Sequence, residues 1–137
     1  MSRRSRRADA GRVSVFVAGT MPMLLLFMAL MWDASGYLRA LHRADNIANE
    51  AARAAGQAID LPLAVAGERI VVDPVAAEVA ADAYLADAGV TGDVSVSEDG
   101  RQVSVEVSVP YPPLFLGAFG FGPYTAHGEA DAHLVDE

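Results

Sequence analysis

The chain has 137 residues, 53% of them hydrophobic, and a net charge of −8 that is unevenly spread. Residues 1–12 hold five arginines against Asp9, or +4, whereas the rest holds five arginines against seventeen acids, or −12. So acidic a C-terminal part excludes a nucleic-acid partner there, because phosphate binding needs clustered positive charge, and the absence of cysteine excludes disulfides and thiolate metal sites.

In chain order, the basic arm 1–12 comes first and Val13 to Trp32 follow as twenty consecutive uncharged residues. About twenty apolar residues at 1.5 Å each span the ~30 Å hydrocarbon core as a helix. Arg3, Arg4, Arg6, Arg7 and Arg12 beside that run predict a cytoplasmic N-terminus, since short Arg-rich flanks resist translocation. The expected location is therefore the plasma membrane, single-pass, with the lipid bilayer as one partner and the C-terminal part extracytoplasmic. A cleaved secretory signal fits less well. Its apolar stretch is about 7–15 residues and ends in small residues, whereas this run is longer and closes on Leu30, Met31 and Trp32.

Helical character continues over 33–60, a segment rich in alanine and free of proline. Arg39, Arg43, Asn46, Glu50, Arg53, Gln57 and Asp60 recur at alternating steps of three and four, which predicts one solvated face. Opposite runs a small-residue row at i+4 spacing: Ala40, Ala44, Ala48, Ala52 and Gly56. Such a row lets another backbone approach closely, from the chain's own domain or from a neighbouring subunit. Pro22 and Gly36 are expected bend points, and Asp60-Leu61-Pro62 is the expected end, because a residue before proline avoids the α region.

A long spine, apolar first and amphipathic later, suits a pilin-like subunit. Gly11 precedes the span, Asp33 and Gly36 follow it, and the helix carries Arg43-Ala44-Asp45-Asn46-Ile47-Ala48-Asn49-Glu50-Ala51-Ala52-Arg53-Ala54-Ala55. In these residues the chain resembles the TadE/TadG-like pilus-assembly proteins of tight-adherence (Flp) systems, closer to the TadE type. The resemblance implies a minor pilin or pseudopilin with an N-terminal membrane helix and a small outer domain. Its implied partners are other pilin-like subunits and membrane proteins of the secretion apparatus. It also implies a candidate processing site, where a prepilin peptidase would cut after Gly11 and leave Arg12 as the new terminus. The fifth mature position, a glutamate in processed pilins, is Phe16 here. An uncut, permanently anchored subunit is therefore expected.

Residues 61–137 read as an outer α+β domain. Arg69 to Val72 are expected to be extended, and Asp73-Pro74 then reads as N-cap and first helical residue. The helix is expected to run through Val75, Val79, Ala83 and Leu85 to a stop at Gly89. Val94 and Val96 alternate with serines, Glu98-Asp99-Gly100-Arg101 reads as a turn, and Val103, Val105, Val107 and Val109 keep period two. A last strand is expected from Tyr124 to Val135. The predicted fold class is α+β: the extended N-terminal helix, one further helix and a three-stranded antiparallel sheet with one apolar face.

Between the last two strands lie Pro110 to Pro123, fourteen uncharged residues broken by glycine and proline and expected to hold no regular element. Leu114, Phe115, Leu116, Phe119 and Phe121 make this loop a candidate docking surface for a partner subunit or the membrane interface, the alternative being a lid over the core. His127, Glu129, Asp131 and His133 alternate along the last strand and are expected to form its solvated face rather than a metal site. No P-loop, dinucleotide fingerprint or Ser/His/Asp ordering is present, so no enzyme, metal or cofactor is expected. The expected function is a membrane-anchored pilin-like subunit acting by helix packing and assembly. The alternative is an anchored extracytoplasmic binding or regulatory module outside any filament.

Overall fold

One helix, α1 (Ser5–Gly56), runs for 52 residues and about 78 Å at 1.5 Å per residue. The computed structural model describes residues 5–58, 65 and 71–133. The helix passes through both expected bend points, Pro22 and Gly36, with no interruption. A single proline removes one backbone hydrogen bond and leaves the remaining ladder to hold the segment. The end differs from expectation. Helix α1 stops at Gly56, where Gln57 and Ala58 donate tightened bonds to the Ala54 and Ala55 carbonyls. The Ala58 carbonyl then accepts the Asp73 N–H at 2.8 Å, so a long-range bond draws the chain out of the helix before Asp60. Ile59 to Pro62, where that end was expected, lie outside the described residues, as do Arg69 and Ile70.

The second helix, α2 (Pro74–Ala88), begins and ends where its residues direct. The Asp73 carboxylate accepts from the N–H groups of Val75 and Ala76, Pro74 occupies the first turn, and Gly89 at φ 69° closes the helix. Its buried face is Ala77, Ala81 and Leu85, while the larger Val75 and Val79 are exposed. Small residues win this face because α2 packs against the alanine-rich side of α1.

Strands β1 (Thr91–Val96), β2 (Gln102–Tyr111) and β3 (Tyr124–His133) form an antiparallel sheet in the order β1-β2-β3. The register places Val94 opposite Val105 and Val105 opposite Ala130. Period-two alternation sends Val103, Val105, Val107 and Val109 to one face, where all four are buried. That face receives α1 over β2 and β3, and α2 beside β1. Ala44, Ala48, Ala51 and Ala55 meet the valines from the helix side, giving one connected core. Full burial of each valine is worth about 1.5–3 kcal/mol. The core therefore draws on α1 as well as on residues beyond 61: the second half of the spine is part of the C-terminal domain.

Gly128 explains how the sheet comes so near. A Cβ at that position would fall on the backbone of α1 at Ala44 and Asp45. Glycine in β3 and alanine in α1 together bring main chain against main chain.

Candidate functional site

The two halves of α1 differ in what covers them. Through the uncharged run the side chains stand open, with Val13, Phe16, Leu24, Met28 and Trp32 all exposed. The helix is long and apolar enough to cross a membrane, and none of its most apolar window is buried inside the chain. From Ala40 onward one side is sealed under the sheet. Ala44, Ala48 and Ala52 are buried there, while Ala40 and Gly56 are partly covered. The close approach permitted by this row is thus taken up by the chain's own β2 and β3. Gly11, Arg12 and Phe16 lie inside α1, all exposed, and a Cβ on Gly11 would meet nothing within 4 Å.

Asp33 marks the junction between the halves. It is the first acid after the uncharged run, and it is 2% exposed. Its Oδ1 accepts from the N–H of Leu114 at 2.9 Å and of Phe115 at 3.2 Å. Oδ2 accepts from Phe115 at 3.0 Å and Leu116 at 2.7 Å. Three consecutive amides are satisfied by one carboxylate, in the manner of a helix N-cap supplied from far along the chain. The capped turn is α3 (Phe115–Ala118), with Phe119 after it. The 110–123 segment thus corrects the expectation of no regular element: β2 runs on to Tyr111, and one helical turn follows. An acid eighty residues away makes that turn stable, a pairing beyond the reach of local pattern.

Tyr111 fastens the same joint. Its hydroxyl donates to the Asp33 carbonyl at 3.1 Å, and its ring meets Tyr37 edge-on with centroids 6.2 Å apart. Gly36 makes room, since a Cβ there would overlap the Tyr111 hydroxyl and ring. An apolar groove of about 450 Å³ lies alongside, between Leu30 and Ala34 of α1 and Pro113, Leu116 and Tyr124. On the outer side of the joint Leu114, Phe115, Phe119 and Phe121 are exposed, while Leu116 is half-buried toward the groove.

The polar face of the sheet shows cross-strand pairing instead of convergence. His127 Nδ1 lies 3.2 Å from Ser108 Oγ and 3.7 Å from Glu106 Oε1. The Ser104 hydroxyl donates to Asp131 and, with Gln102, holds that carboxyl below its ordinary value. The Ser97 hydroxyl and the Arg101 N–H do the same for Asp99 in the β1–β2 turn. Glu129 and His133 are exposed on the same face. Among the described residues, no three His, Asp or Glu side chains are grouped to hold a metal ion.

A long, open apolar half-helix followed by a small domain is the layout that the sequence resemblance implied; the alanine face held under the chain's own sheet is an addition from the structure. Comparison with known families bears on the first of these parts. Residues 11–58 match the TadE/G-like Flp pilus-assembly family model. The TadE/G-like segment covers α1 from Gly11 to its end, taking in both halves and the Asp33 joint. It stops before α2 and the sheet. No curated protein and no solved structure matches the chain.

Proposed function

We propose that this chain is a single-pass, membrane-anchored, pilin-like subunit, of TadE type, in a Flp pilus or a related secretion apparatus. The observation that carries the proposal is the coincidence of the TadE/G-like segment with α1, half exposed and apolar, half built into the outer domain. The Arg-rich arm stays in the cytoplasm and the sheet domain lies outside, as the charge bias favours. The subunit works by lateral packing and turns over no substrate. With the alanine row occupied by its own sheet, the surface left for like helices and apparatus proteins is the exposed 13–32 stretch. In a bilayer that contact rests on side-chain packing, because lipid tails are as apolar as the helix.

Gly11 remains uncut in this reading, because Phe16 supplies no carboxylate for a neighbouring subunit's terminal amine. The chain lacks cysteine, so one introduced thiol reports alone. Leu24→Cys or Met28→Cys, oxidised in native membranes, should give disulfide-linked species containing this chain or another pilin-like subunit. Only uncrosslinked chain from both variants would favour a solitary anchored module. The intact mass of the membrane-extracted protein should retain the Arg-rich terminus, and a terminus at Arg12 would establish prepilin-type processing.

A further inference from the structure

We infer that the Tyr111–Tyr124 segment is a second membrane contact, seated in the headgroup–acyl boundary of the bilayer beside α1. The inference rests on the reading of α1 as a membrane span. Three observations carry it. The first is position. The Asp33 carboxylate, one residue past the uncharged run, pins the amides of Leu114, Phe115 and Leu116, so α3 is held at the level where the span ends. The second is composition. No charge occurs from Tyr111 to Tyr124, and Leu114, Phe115, Phe119 and Phe121 stand exposed, with Phe119 open by 73%. Such a patch is costly in water and continues directly into the exposed apolar surface of α1 at Leu30.

The third observation is the placing of the amphipathic aromatics. The chain has one tryptophan and four tyrosines. Trp32 and three of those tyrosines, Tyr37, Tyr111 and Tyr124, stand around this joint. Tryptophan and tyrosine favour the headgroup level because one end of each ring is apolar and the other hydrogen-bonds. A bilayer surface therefore covers the patch better than a protein partner does, since it meets the belt and the span together. The domain rests on the lipid at two points, which fixes its tilt about the end of α1.

The test uses the full chain in vesicles of phosphatidylcholine and phosphatidylglycerol, with an environment-sensitive fluorophore on Phe119→Cys. Leu114→Cys provides a second probe of the patch, Leu25→Cys reports the span and Glu98→Cys the far turn. Lipids brominated near the glycerol end should quench the Phe119 and Leu114 labels about twofold or more, and leave the Glu98 label to aqueous iodide. Quenching of both patch labels by iodide and not by lipid would overturn the inference, as the patch would lie in water. Protection from both quenchers would overturn it in favour of a covering protein subunit. If the Leu25 label responds to deep-brominated lipid while the patch labels do not, the anchor stands and only the second contact fails. If none of the labels responds to lipid, both fall.

Discussion

Asp33 accepts four hydrogen bonds from three successive amides, and its own carbonyl takes a fifth from Tyr111. Bonds to an ionised acceptor are about twice as strong as neutral ones. Asp33→Asn halves the accepting capacity and brings in a donor that faces other donors. The expected outcome is local: amide exchange at Leu114, Phe115 and Leu116 accelerates about tenfold or more, while amides in β2 and β3 keep their protection. Hydrogen exchange by NMR in micelles checks this, and equal acceleration throughout would contradict it. Asp131 allows a prediction in pH. Its carboxyl is held below the ordinary 3.8 by Ser104 and Gln102. The unfolded chain therefore takes up that proton first, so the contribution to stability is present above 3.8 and is lost as pH falls through the lower folded value. Asp131→Asn should flatten the acid limb of thermal midpoint against pH below about 4. A slope equal to that of the parent would contradict the assignment.

At the scale of elements, the sheet stands close to α1 because side chains are missing at the contact. Gly128→Val places its Cβ where the backbone of Ala44 and Asp45 lies, and no choice of rotamer moves a Cβ. Overpacking of this kind costs about 1–3 kcal/mol and often more when backbone must move. The thermal midpoint should fall by roughly 4–8 °C for each kcal/mol in a domain of this size. Val105→Ala opens a cavity at the centre of β2 and should cost about 1–3 kcal/mol, read from the same melting curves. The strands and α2 were legible because their signals are local: alternating valines, Asp-Gly at a turn, Asp-Pro before a helix and glycine after it. The end of α1 was misplaced because the Ala58–Asp73 bond belongs to tertiary structure. The alanine row was legible as a close-packing face, yet its i+4 spacing is identical whether a sheet or another subunit lies against it. The role of Asp33 was hidden for a similar reason. An acid after an apolar run is ordinary, and only the fold brings Leu114 to it.

At the scale of the whole molecule, the TadE/G-like segment is one continuous helix with two different surroundings. Its first half leaves bulky side chains uncovered, and its second half supplies alanines to a core closed by the sheet, whose opposite face is polar and exposed. The joint between them gathers Asp33, Gly36, Tyr37 and Tyr111 within a single turn of helix and one strand end. Such a build joins the exposed half of α1 to the sheet domain through one unbroken helix. The proposed function depends on the helix crossing a membrane with the arginines inside. The most direct measurement is labelling of single cysteines by a membrane-impermeant maleimide on intact cells stripped of outer layers. Glu98→Cys, in the exposed β1–β2 turn, should label without permeabilisation, and Ser2→Cys only after it. Labelling of both sites, or of Ser2→Cys alone, on sealed cells would contradict the anchored, outward-facing subunit.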